Sequence, residues 1–186
     1  ADTAFVEHDR VGASLSHSDI ARCGVTGVRL AGARLESARL VDVTFVRCDL
    51  AGVDLSEATL LRVRFDDCRL SGSELGQASV RDSSLYDCRL DDANLRLARL
   101  DRVTFESCVL TGTDLAGARL AHVSFPGCDL AGADVSKARC DHVDLRGARL
   151  DGLRGVGALK GATIAADQLV VLAPGLAHAV GLRIAE

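Results

Sequence analysis

Residues 48–67 read CDLAG VDLSE ATLLR VRFDD, and this stretch decides the fold. Leu50, Leu55, Leu60 and Phe65 fall at every fifth position, and two places before each stands a small or medium residue: Cys48, Val53, Ala58 and Val63. Outward from here the same frame continues through ANLRL (93–97) and TDLAG (113–117), and from Leu15 to Leu150 no position divisible by five is polar. A helix of period 3.6 would smear a five-residue repeat around its surface, and a flat strand would alternate its faces. A chain that turns a corner every five residues, with the central apolar side chain and the small one both inward, satisfies the pattern.

Four corners close a square coil. Phe45, Phe65, Phe105 and Phe125 recur at multiples of twenty, as do Cys48, Cys68, Cys88, Cys108 and Cys128, so like stacks on like. The expected fold is an all-β solenoid, a right-handed quadrilateral β-helix, with residues 13–152 forming seven coils of about 34 Å in all at the ~4.8 Å spacing of paired strands. Gly32, Gly52, Gly72, Gly112, Gly132 and Gly152 form a column that fits a corner of positive φ, broken once by Asp92.

Both ends depart from the repeat. Residues 1–12 read as a polar N-terminal cap, because His8 and Arg10 occupy positions that are small or apolar elsewhere. The register is lost at Gly155, and residues 153–186 read as a short C-terminal α-helical cap in which Leu169, Leu172, Ala173, Leu176 and Val180 share one face. Gly181 suits the helix end, and Pro174 marks a kink or a second helical start. So apolar a tail covers the open end of the solenoid, pairs with a second copy, or does both; both are expected, with Leu182 and Ile184 extending the dimer contact as a short strand.

Composition agrees with a repetitive core. The chain is 48% apolar yet has no Trp or Met, one Tyr and five Phe, so its interior is filled by small and medium aliphatics. It has neither an apolar run long enough to span a membrane nor a basic, then apolar, leader, and a soluble cytoplasmic protein is expected. Seven cysteines in a ladder match neither a disulfide framework nor a zinc site, and core packing is their expected role. The net charge is −4, with residues 153–186 contributing +1, so a partner drawn by charge should be basic.

The repeat of a small residue, a polar residue, Leu or Phe, then two polar or small residues resembles the pentapeptide-repeat family. The ending LRGARL, then LKGATIAADQLVVLAPGLAHAVGLRI, resembles the C-terminal cap and dimer helix of its gyrase-protecting quinolone-resistance members, of the MfpA and Qnr type. Residues 13–152 carry no insertion, which favours the loopless mycobacterial type over the loop-bearing Qnr type. The resemblance implies a rod-shaped homodimer that imitates B-form DNA, protects DNA gyrase or a related type II topoisomerase from fluoroquinolone-like drugs or toxins, and does not itself bind nucleic acid.

A duplex mimic needs carboxylates at intervals comparable with phosphates, about 3.4 Å of axis per strand. Asp54, Glu74, Asn94, Asp114 and Asp134 occupy one column, a line of acids broken once, and Asp66, Asp67, Asp87 and Glu106 cluster at a corner. These eight acids are the expected partner-binding residues. Arg39, Arg99, Arg119 and Arg139 make another face basic, so the acidity lies in stripes. His122 and His142 share an outward column with Asp141 adjacent and could bind an adventitious metal, but no functional metal site is expected there. GVGALKG (155–161) lacks the Lys-Ser/Thr ending of a phosphate loop. No catalytic grouping stands out, and neither enzyme activity nor a cofactor is expected.

Overall fold

The computed structural model describes residues 11–183 and the strand at 3–6. Eleven short strands run parallel: β1 (Thr3–Val6), β2 (Asp19–Thr26), β3 (Arg39–Val46), β4 (Thr59–Leu61), β5 (Arg64–Asp66), β6 (Ser79–Tyr86), β7 (Arg99–Glu106), β8 (Arg119–Ser124), β9 (Arg139–Asp141), β10 (Val143–Asp144) and β11 (Ala162–Thr163). A 3₁₀ turn (Val156–Ala158) and one helix, α1 (Gln168–Ala179), follow the coils. The strands cover two adjacent faces of a right-handed quadrilateral solenoid of about seven turns. Among the described residues the other two faces hold isolated parallel bridges, such as Asp49↔Arg69 and Asp54↔Glu74.

Pairing is offset by twenty residues from coil to coil, as in Phe45↔Phe65 and Leu100↔Leu120. The same offset places Thr3–Val6 against Cys23–Thr26, so the ladder reaches upstream of Ala13; His8 and Arg10 lie outside the described residues. Beyond Gly155 the offset drops to nineteen, with Val143↔Ala162 and Asp144↔Thr163, which is the loss of register expected there.

The inward positions fill the centre. Leu40, Leu50, Leu60, Leu70, Leu90, Leu100 and Leu110 are buried, and Phe45 stacks on Phe65, as Phe105 does on Phe125, with ring centroids 5.0 and 5.1 Å apart. Every residue two after an inward centre, from Gly12 to Gly152, has φ between +50° and +76°, and eighteen of them are not glycine. Asp92, at φ +56°, therefore keeps the corner that the glycine column marks. On two faces the corner is a hydrogen-bonded β-turn, for example Val53 N–H to Leu50 C=O at 3.1 Å, with the positive φ at its third residue as type II requires. On the other two, strands such as β3 run through the corner residue.

At the C-terminal end the chain covers the last coil. Gly155, with φ +75°, takes the position of an inward side chain, and a Cβ there would fall onto the backbone of Ser136. Gln168 is buried, and its side-chain amide donates to Leu145 C=O (2.7 Å), which also accepts the Ala148 N–H of its turn (3.1 Å), and to Ala148 C=O (2.6 Å), which has no further coil to bond it. Leu172 is buried beside Val156, and Gly175 lets α1 approach Val156 closely.

Three features of the tail bear on what was expected of it. A single helix runs through Pro174 with no second start; the proline removes the donor to Val170 C=O, on an exposed residue where water can replace it. The shared face of Leu169, Leu172, Ala173, Leu176 and Val180 is divided: Leu172 and half-buried Leu176 are turned to the solenoid, while Leu169, Ala173 and Val180 are exposed. Leu182 is in no strand, because its N–H bonds Ala177 C=O (2.8 Å) while Gly181 N–H bonds His178 C=O (3.0 Å), a Schellman closure of α1 at the glycine. Ile184 lies outside the described residues.

Candidate partner-binding surface

The bridges bring the acidic column together. Arg34, Asp54, Glu74, Asn94, Asp114, Asp134 and Arg154 are successive partners on one face, one coil apart. One oxygen of Asp54, Asp114 and Asp134 accepts the N–H two residues on, from Ser56 (2.9 Å), Ala116 (2.8 Å) and Ser136 (2.8 Å), so these carboxylates also build their turns. Asn94 does the same with Arg96 and donates its amide to Glu74 at 2.6 Å. Arg96 pairs with Asp114 (3.0 Å) and Arg154 approaches Asp134 (3.9 Å), while Asp54 has no ion pair among the described residues. Asp134 is held below the usual carboxylate range, first by the Ser136 hydroxyl, then by the Ser136 N–H, with Arg154 adding to both.

The corner group is the less neutralised of the two. Asp67 and Asp87 occupy the same left-handed corner of consecutive coils (φ +51° and +50°); with Glu106 they are exposed and form no ion pair among the described residues. Asp66 differs: Arg64 binds it at 2.7 Å while its guanidinium lies over the Tyr86 ring, 4.5 Å from the centroid.

Two further features of the surface bear on any partner. Arg39, Arg99, Arg119 and Arg139 make no ion pair among the described residues, and the last three border an open groove with Lys137, Glu57 and Leu97. At the next corner the sequence alternates in sign: Arg22, Asp42, Arg62, Asp82, Arg102. There Arg62 grips Asp42 through Nε and Nη2 (2.5 and 2.9 Å), and Arg102 grips Asp82 (2.6 and 3.2 Å). Sequence reading missed this ladder, although alternating charge at twenty-residue spacing was its visible signal.

The cysteine ladder belongs to the interior. Cys48, Cys68, Cys88, Cys108 and Cys128 are buried, and a thiol one coil on accepts the inward-pointing N–H of Cys48, Cys68 and Cys108, each at 3.4 Å. Cys88 and Cys108 are pushed up to about 12, each first by the hydrogen bond with the next thiol, partly countered by the previous one, and then by burial. Such thiols stay protonated and unreactive at neutral pH.

Among the described residues no helix is long and apolar enough to cross a membrane. The sequence profile described as Pentapeptide repeat region matches residues 18–95 and 78–154. No curated protein matches the chain. Among solved structures, HetL, a pentapeptide repeat protein involved in heterocyst differentiation regulation in the cyanobacterium Nostoc sp. strain PCC 7120, is 24% identical, with 86% of each chain covered and a TM-score of 0.38. Full-length QnrB1, a plasmid-mediated fluoroquinolone resistance protein, is 21% identical over 94% of this chain and 99% of that one, with a TM-score of 0.42. A pentapeptide repeat protein from the Arabidopsis thaliana thylakoid lumen is 23% identical over 68% of this chain and 74% of that one, with a TM-score of 0.34. With its profile spanning almost every coil, the chain belongs to the pentapeptide-repeat family.

Proposed function

We propose that this protein is a non-enzymatic binding rod that presents carboxylates in place of the phosphates of duplex DNA and occupies the DNA-binding channel of a type II topoisomerase, DNA gyrase foremost, in the cytoplasm. Bound there, it protects or modulates the enzyme against fluoroquinolone-like drugs or toxins. The observation that carries this reading is the line Asp54, Glu74, Asp114 and Asp134, held in one bridge register with coils ~4.8 Å apart and interrupted once at Asn94, a spacing of the same order as the ~3.4 Å axial repeat of phosphates. Asp67, Asp87 and Glu106 add exposed, unpaired charge that basic side chains of a DNA channel would meet.

The rod acts as a homodimer joined through its tails. Leu169, Val170, Val171, Val180 and Leu182 are exposed on one short segment, and an apolar groove of about 370 Å³ between α1 and the end of the solenoid adjoins Val180. A second copy of this segment is the occupant that would cover them.

A supercoiling assay with DNA gyrase, with and without a fluoroquinolone, tests the function. Inhibition of supercoiling or protection from the drug at micromolar protein is expected; neither effect would sink the proposal. A scaffold for an unrelated protein is the second reading, favoured by the unpaired Arg99, Arg119 and Arg139. Charge reversal at Asp54, Glu74, Asp114 and Asp134 separates the two, because only the DNA mimic loses its gyrase partner.

A further inference from the structure

The alternating charge ladder stops after Arg102. Its next two places are His122 and His142, where an ionic pair gives way to two imidazoles facing each other. Both residues are in the left-handed corner conformation, φ +52° and +51°, so their side chains leave the backbone in the same direction from consecutive coils. The rings lie 4.9 Å apart at 22°, and Asp141 meets His142 Nδ1 at 2.8 Å. The nearest corner cation, Arg102, is held by Asp82 and Asp101 and does not compete for Asp141.

We infer that His122, His142 and Asp141 form a binding site for one divalent transition-metal ion of the zinc type. One ligand atom from each lies within 4.8 Å of the others, and this is the one such group of three among the described residues. Two imidazoles and a carboxylate are the donors that zinc accepts, with solvent taking the fourth place. Zinc–nitrogen distances of about 2.0–2.1 Å require the ring nitrogens to close to roughly 3.4 Å. All three side chains are exposed and can turn by that amount without disturbing the core. The ion would tie together the last two coils, where β9 is the final strand of its column among the described residues.

Calorimetric titration of the full chain with zinc chloride tests the site. One ion per chain is expected, with His122→Ala and His142→Ala each weakening the affinity about tenfold or more and Asp141→Asn weakening it less. A His17→Ala, His178→Ala double variant should bind as the wild type does. Zinc should raise the thermal midpoint of the wild type and leave that of His122→Ala unchanged. Absence of binding to the wild type, or wild-type affinity retained in either single histidine variant, overturns the site, and full affinity in Asp141→Asn overturns its three-ligand composition.

Discussion

The coils and the end that closes them are built on opposite principles. Inside the solenoid each residue meets its own counterpart twenty places away, so Phe45 lies on Phe65, Asp54 is bridged to Glu74, and the N–H of one cysteine finds the thiol of the next. At the closing end nothing repeats: Gly155, Gln168 and Leu172 each do one task once. In a nearest-neighbour stack, a coil residue should therefore matter by the volume and polarity it brings to its column, and a cap residue by its identity.

The largest effect tests the coil side of that contrast. Phe65→Ala should cost about 3–5 kcal/mol in urea unfolding, because the buried ring leaves a cavity under Phe45. Phe65→Leu should cost below about 1.5 kcal/mol, since Leu85 already fills the same position one coil on. Equal losses in the two variants would break the idea that coils are interchangeable.

On the cap side, Gly155→Val should cost at least about 2 kcal/mol, since a branched side chain meets both a left-handed φ and the Ser136 backbone. Hydrogen exchange should quicken in 156–179 ahead of the central coils. Gln168→Leu, of similar volume, should cost about 1–3 kcal/mol by stranding the Ala148 carbonyl in a buried place and leaving Leu145 C=O only its turn bond from Ala148 N–H. Exchange unchanged in the tail of both variants would remove the single-use role of these residues.

The same contrast separates what the sequence discloses from what it hides. Period five and period twenty are carried by Leu50, Phe65, Cys68 and their kin, so the fold, its register and the column of Asp54 are legible without coordinates. The division of the tail is not: Leu169 and Leu172 look alike in a helical pattern, and only the position of the last coil decides that one is exposed and the other buried. Gln168 gives no signal either, because its value lies in the Ala148 carbonyl left without a following coil. The acidic columns were visible as charge, but not that Asp54, Asp114 and Asp134 each also close a turn through one oxygen.

Surface ladders should respond weakly, and to acid. Asp42 and Asp82 sit below the usual carboxylate value, first because Arg62 and Arg102 hydrogen-bond them. A depressed folded-state value means that the stabilisation is complete above the unfolded carboxylate value near 4 and is lost as pH falls through the lower folded one. Thermal midpoints should therefore drop more steeply below about pH 4 in the wild type than in Arg62→Gln, Arg102→Gln. Added salt should shrink the difference, since both arginines are about half exposed.

The smallest effect is also the sharpest, because two equivalent positions should respond with opposite signs. Ser73 and Thr113 stand in the column that holds Ala33, Val53, Ala93 and Ala133, and both are buried. The Thr113 hydroxyl donates to Leu90 C=O at 2.9 Å, whereas the Ser73 hydroxyl is buried with no partner. Ser73→Ala should stabilise the rod by up to about 1 kcal/mol, and Thr113→Ala should destabilise it by about 1 kcal/mol or more. Shape alone makes the coils interchangeable; polarity does so only where a hydroxyl reaches its carbonyl. Unfolding curves that shift the same way in both variants would mean that the column responds to volume only.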